Sequence, residues 1–225
     1  MICNRLFSYA FEHALINKPI GEVVVSMGSQ FLRTPYEAHT LDGPGAERLV
    51  VDLHSFDCVT FIENVAALSR CVKANRLSFG TYRHELQQLR YRGGAIGGYP
   101  SRLHYFTEWI SDNEKKGIVK DLSRELGGSP FRKPIDFMTS HRASYPGLSD
   151  DSVYASMRRV EDTLSGRVRY LIPISRIARS ESKIRSGDII AITTNLGGLD
   201  VSHTGIAVRL EDGSLHYMHA PNVRG

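Results

Sequence analysis

Apolar residues recur along this chain in two periods, and the period changes about three-quarters of the way along. In SFDCVTFIENVAALSRCVK, Cys58, Phe61, Val65, Leu68 and Val72 repeat at the three-and-four spacing of one helical face, while Glu63, Arg70 and Lys73 fall off it. That spacing predicts a helix over 57–73, and similar runs predict helices near 4–15, 20–32, 79–90, 102–115 and 150–164. The first of these rests on Leu6, Ala10, Phe11 and Ala14. Strands begin at about 168 with VRYLIPI, and IRSGDIIAITTNLGGLDVSHTGIAVRLEDGSLHYMHAP predicts three more, over 188–193, 203–210 and 214–220. Helices followed by strands indicate an α+β domain over 1–225, helical to about 165 and sheet from about 166. The stretch 121–149, with Gly-Gly, prolines and scattered aromatics, reads as an ordered loop insertion over the core.

Composition fits one enzyme-sized domain. At 225 residues and 41% hydrophobic the chain can bury a substantial core, and it holds no apolar run long enough to span a membrane. The 28 basic residues barely exceed the 24 acidic ones, and no Lys/Arg tract carries interleaved aromatics, which weighs against nucleic acid as a partner. Cys3, Cys58 and Cys71 are too few and too odd in number for a disulfide framework. No C-x-x-C or H-E-x-x-H spacing appears, so neither zinc nor any other cofactor is expected.

The chemistry concentrates at Cys58. Asp57 precedes the periodic run as an N-cap candidate, which puts Cys58 in the first helical turn, where free N–H groups and the positive end of the dipole favour thiolate. Alone, Cys58 reads more readily as a small apolar core residue. Downstream, Thr204, Ile206, Val208 and Leu210 form the apolar side of a strand, and His203, Gly205 and Ala207 form the other; the two small residues leave room for a helix to approach. A nucleophile at a helix start with two histidines on paired strands is the minimum set for thiol acyl transfer.

That set depends on register. A two-residue Asp212-Gly213 turn would place His203 and His219 on opposite faces of the sheet. A three-residue loop, Glu211-Asp212-Gly213 with Gly213 left-handed, pairs Leu210 with Ser214 and Gly205 with His219. His203 then lies diagonal to His219 on the same face, within about 7–8 Å. The second arrangement is the one expected.

The segments FLRTPYEAHTLD, FDCVTFIENVAAL, GDIIAI, SHTGIAV and YMHAP occur in the order seen in NlpC-type papain-like cell-wall amidases of bacteria. With YRGGAIGGYPSRLHYFTEWISDNEKKGIV between them, the chain resembles one family of that superfamily, the N-acetylmuramoyl-L-alanine amidase-like proteins first catalogued as a domain of unknown function, over about residues 25 to 221. The resemblance implies a papain-like fold with N-terminal helices on a C-terminal antiparallel sheet. It also implies Cys58 as nucleophile, His203 as general base, His219 as the group orienting the imidazole, and Tyr36 beside the nucleophile. Related chains continue with more sheet beyond Pro221, so a C-terminal truncation is expected.

Candidate substrate contacts are Asp57 and Ser202, adjacent to the catalytic residues, together with Tyr99, Arg102, His104 and Tyr105. The last three are expected to project from a helix whose stripe is Leu103, Phe106 and Ile110, with Arg102 pairing a stem-peptide carboxylate and Tyr99 or Tyr105 stacking on sugar. A solvated helix face is the plain alternative. Gly93, Gly94, Gly97 and Gly98 fit no phosphate-binding pattern and read as a turn.

The implied activity is hydrolysis of the amide between N-acetylmuramic acid and L-alanine in muropeptides, those with an anhydro sugar included. A γ-D-glutamyl-diamino-acid endopeptidase with the same catalytic set and an inactive wall-peptide binding module stay open. No obligate protein partner is evident. MICNRLFSYAFEHALINKPIG carries no export signal as written. The cell envelope or periplasm is expected if a signal has been removed, and the cytoplasm if the chain is complete.

Overall fold

The computed structural model describes residues 2–43 and 45–221. Its helices are α1 (Ile2–Glu12), α2 (Ile20–Ser29), α3 (Cys58–Lys73), α4 (Phe79–Arg90), α5 (Phe106–Lys115), α6 (Phe137–Ser140), α7 (Asp151–Ser165) and α8 (Ile174–Ser180). Its strands are β1 (Ser129–Phe131), β2 (Arg169–Leu171), β3 (Ile189–Thr193), β4 (Val201–Arg209) and β5 (Leu215–Met218). Helix and antiparallel sheet together make an α+β fold. No helix among the described residues is long and apolar enough to cross a membrane.

α3 is the axis of the main core. Phe61, Ile62, Val65, Ala67, Leu68, Cys71 and Val72 are all buried, against side chains of α1, α2, α4 and β4. Burial on so many sides leaves no open polar face, and Glu63 is buried with the rest. It is held by Arg90 of α4, whose Nε lies 2.7 Å from Glu63 Oε2 while Nη1 donates to Val50 O at 2.5 Å. Removing either ion would strand the other and cost about 3–5 kcal/mol. In α1 the buried stripe is Cys3, Leu6, Phe7 and Ala10, whereas Phe11 is 79% exposed. Ala14 follows in the left-handed region at φ 49°, so the expected Phe11–Ala14 side of the helix does not form.

The sheet order is β3-β4-β5, with β4 central. Ile206 and Thr204 of β4 are buried, and Ile206 joins the core under α2, where a Cβ on Gly28 would stand 3.5 Å from Ile206 Cδ1. β4 pairs β5 with Ala207 opposite Tyr217 and Ile206 opposite Met218, the expected register. The Leu210 N–H donates to Ser214 O at 2.9 Å, the Gly213 N–H donates to Leu210 O at 3.0 Å, and Gly213 has φ 84°. This is the three-residue hairpin loop with a left-handed glycine. Between β3 and β4 the register shifts at Ile192/Thr193, leaving Ser202 as the extra residue of a bulge beside His203.

Two further expectations fail for identifiable reasons. The 121–149 stretch is more than a loop: β1 pairs with β2, and Ile135, Met138 and Leu148 join Met157 and Leu164 of α7 in a second apolar cluster. VRYLIPI yields only the short β2, because Pro173 (φ −59°) closes the strand and caps α8 in the supposed all-sheet part. The chain end at 222–225, where a truncation was expected, lies outside the described residues.

Candidate active site

Cys58 opens α3 because Asp57 is a true N-cap. Asp57 Oδ1 accepts from the N–H of Val59 (2.9 Å) and Thr60 (2.7 Å), and the Asp57 N–H donates to Thr60 Oγ1 (2.9 Å), completing a capping box. Such a cap is worth about 0.5–2 kcal/mol. β4 then locks this turn in place, since Thr204 Oγ1 donates to the Cys58 carbonyl at 2.7 Å. Thr204 is the chain neighbour of His203, so this bond ties the nucleophile candidate to the base candidate. Tyr36 arrives by another route: it bridges in parallel to Phe56, with Glu37 N–H on Phe56 O (3.0 Å) and Phe56 N–H on Pro35 O (3.1 Å).

His203 of β4 meets His219, the residue after β5: His203 Nε2 lies 2.7 Å from His219 Nδ1, with the rings 4.9 Å apart and nearly perpendicular. The two imidazoles therefore meet on one face, as the hairpin register requires. If His203 Nε2 carries the proton and donates to His219 Nδ1, then His203 Nδ1 is left free to take a proton.

The electrostatics reverse one expectation. Cys58 is pushed up from its ordinary value, first by burial and then by the Asp57 carboxylate; hydrogen bonds from Thr204 and from its own N–H oppose this without overcoming it. The carboxylate that caps the helix thus offsets the positive end of its dipole at the thiol. Burial, and then His219, push His203 down. Both shifts disfavour the charged pair and so work against the thiolate expected at a helix start. Cys3 and Cys71, deep in the core, are pushed up by burial to about 11 and about 12.

The Arg102 region is placed differently from its prediction. α5 begins at Phe106, and residues 102–105 run extended, bridged to α4's end by Tyr91–Arg102 pairing. Pro100 disfavours a helix here, and Arg102, Leu103 and Tyr105 are each buried in different surroundings. Arg102 is only 5% exposed. Its Nη2 contacts Asp42 Oδ1 at 2.5 Å, its Nη1 donates to Leu41 O at 2.9 Å, and Glu47 Oε1 lies 3.7 Å from its Nε. Its guanidinium serves internal carboxylates, not an open carboxylate site. Tyr105 is 1% exposed and donates to Glu161 Oε1 (2.7 Å), so it offers no face to a sugar. Tyr99 is partly buried, its ring shared by Arg102 at 4.9 Å and His104 at 4.5 Å. Ser202 is exposed at the bulge, its hydroxyl on Ile192 O at 3.3 Å.

Sequence reasoning missed Tyr217. It sits two residues before His219 on the same strand face, and its ring stacks on His219 at 4.9 Å. The space opened by Gly205 receives this ring; the expected close helix comes to the opposite side of β4, at Thr204 and Ile206. A glycine diagonal to an aromatic in the expected register was the available signal.

Comparison with known proteins adds a family. A crystal structure of an N-acetylmuramoyl-L-alanine amidase from Bacteroides uniformis is 38% identical, with a TM-score of 0.85 over 90% of this chain and 85% of that one. A Bacteroides fragilis structure bearing a xylanase name is 36% identical, with a TM-score of 0.80 over 86% of this chain and 85% of its own. A Legionella pneumophila protein shares the fold at 19% identity, with a TM-score of 0.68 over 93% of this chain and 81% of that one. No curated protein matches. A profile described as AmiA-like, N-acetylmuramoyl-L-alanine amidase-like, matches residues 26–225, and the chain belongs to that family.

Proposed function

We propose that the protein is a cysteine-dependent amidase of papain-like, NlpC type that hydrolyses the N-acetylmuramoyl-L-alanine bond of muropeptides, anhydro-muropeptides included. The observation that carries this reading is the imidazole pair at 2.7 Å, one member of which, His203, stands beside the Thr204 that holds the first turn of the Cys58 helix. In the reaction, His203 Nδ1 takes the Cys58 proton as sulfur attacks the amide carbonyl, then returns it to the leaving amine; water hydrolyses the thioester by the same route. His219 holds the imidazolium through Nε2. The Cys58 N–H and the Tyr36 hydroxyl serve the oxyanion, each well-placed donor being worth about 2.7–4 kcal/mol. Burial, Asp57 and Cys58 all push the Tyr36 phenol up, so it remains a protonated donor at neutral pH. Asp57 Oδ1 is committed to the cap, which leaves Oδ2 for substrate. A wall substrate places the protein in the envelope, or in the cytoplasm where muropeptides are recycled.

A glycosidase, as the xylanase name would suggest, needs two carboxylates flanking the bond. The Cys58 surroundings offer a thiol, two imidazoles and a carboxylate half-used as a cap. Defined muropeptides digested by wild type and Cys58→Ser, then analysed by mass spectrometry, test the proposal. The expected products are free disaccharide and intact stem peptide, absent with Cys58→Ser although that variant keeps the wild-type melting temperature. A cut peptide would make the protein a γ-D-glutamyl endopeptidase, and no product with retained binding would make it a wall-peptide binding module.

A further inference from the structure

The Tyr217 ring completes a cluster of three. On one face of the sheet β4 contributes His203, Gly205 and Ala207, and Tyr217 and His219 come to that face from β5 and the residue after it. The Tyr217 ring stacks on His219 at 4.9 Å and 24° and meets His203 edge-on at 6.0 Å and 65°, while the two imidazoles meet each other at 4.9 Å. Gly205 makes the space for it: a Cβ there would lie 2.5 Å from Tyr217 Cε2 and Cζ. The hydroxyl has no share in this placement, because it is buried and has no hydrogen-bond partner among the described residues. Tyr217 is therefore held by the packing of its ring.

The torsion about the Cβ–Cγ bond of a histidine is broad and roughly two-fold, so the backbone alone leaves the plane of the imidazole open. His219 is exposed, and the hydrogen bond between its Nδ1 and His203 Nε2 fixes one point of the ring without fixing its plane. A flat neighbour at stacking distance supplies the missing restraint. Building on the cysteine-amidase reading, we infer that Tyr217 is a positioning residue: its ring, seated in the notch left by Gly205, fixes the plane of the His219 imidazole so that Nδ1 meets His203 Nε2. The edge contact restrains the His203 ring from the same side. An imidazole pair already held in its working orientation spends nothing on reorienting as the proton moves, so the gain appears in kcat.

Tyr217→Leu and Tyr217→Met keep an apolar side chain and lose the flat face. In substrate-free protein, an NMR titration of the His203 ring reads the effect. Burial, and then His219, hold His203 below its ordinary 6.5 in the wild type. Loss of the ring uncovers both imidazoles and lets them part, so in these variants the midpoint should rise toward 6.5. With muropeptide, kcat should fall about tenfold with KM unchanged. Tyr217→Phe restores the face without the hydroxyl, and should return both the titration and kcat to their wild-type values. Its melting temperature should hold or rise, because an unpaired buried hydroxyl is removed. A purely structural role would lower the melting temperature of the Leu and Met variants and leave the titration of the folded protein where it was. That result overturns the inference, as does an undiminished kcat in those variants or a Phe variant that loses kcat with them. The titration needs no substrate, so failure of the amidase reading shows separately, as wild-type protein that leaves muropeptides uncut.

Discussion

At Cys58 the helix terminus and its own cap act in opposite directions. The first-turn N–H groups favour a thiolate, while burial and the Asp57 carboxylate penalise it, and the penalty prevails. In the proposed mechanism, with His203 also pushed down, proton transfer belongs to the attack itself, which puts weight on whatever holds the imidazole once it is charged. His219 Nδ1, 2.7 Å from His203 Nε2, is that acceptor. An asparagine at 219 can present its amide oxygen close to the position of Nδ1, whereas alanine leaves the His203 N–H to water. A hydrogen bond to a charged group is worth about 1.5–3 kcal/mol, so His219→Asn should retain roughly 10–100-fold more kcat than His219→Ala. Equal losses in steady-state assays would remove His219 as the orienting group. The placement of Cys58 at a helix start and of His203 and His219 on one face was legible in the sequence, because period, cap and turn define those positions. The packing of Tyr217 on both imidazoles was not, since tyrosine in a strand is ordinary and its contacts with His203 and His219 show only in three dimensions.

Among the elements, the β4–β5 hairpin decides whether there is a site at all, since a shift of one residue would send His219 to the other face. The turn chemistry made this readable: Asp-Gly with a preceding residue gives a loop whose parity follows from which histidines must meet. Gly213 has φ 84° and nothing within 4 Å of where a Cβ would stand, so its requirement is purely conformational. Gly213→Ala should therefore cost about 1–2 kcal/mol in urea unfolding while kcat of the folded fraction is kept. A loss of activity without a loss of stability would mean that the loop has a second role. The Ser202 bulge was not legible, because a single extra residue leaves the alternation of β4 intact on either side. Nor were β1 and α6, of three and four residues, since elements so short carry no periodic signal. At 102–105 the sequence misled: the Leu103–Phe106 spacing imitates a helix, and the division of Leu103 and Tyr105 between two clusters shows only when both clusters exist.

Across the whole molecule, that extended segment is the partition between the main core and the second cluster, and it carries a pH liability. Leu103 packs into the first cluster and Tyr105 into the second, with Arg102 paired to Asp42 beside them and His104 between. His104 Nε2 lies 2.9 Å from the Tyr99 carbonyl, an acceptor, so Nε2 bears the proton and the neutral ring is complete without a second one. Burial, and then the Arg102 cation, push His104 down to about 3 from its ordinary 6.5. Between those values the unfolded chain binds a proton that the folded chain refuses. The contribution of His104 to stability is thus fully present above pH 6.5 and is lost as the pH falls toward 3. The limiting slope is about 1.4 kcal/mol per pH unit, and the part of the residue that remains in water keeps the real slope below it. Gln places an amide donor near Nε2 and does not titrate, so His104→Gln should unfold in urea near the wild-type midpoint at pH 7 and above it at pH 5. The difference between the two proteins isolates this residue from the other groups that titrate in acid. Parallel curves from pH 7 to pH 4 would show that the partition tolerates a charged imidazole, and that its neutrality has no part in holding the two clusters together.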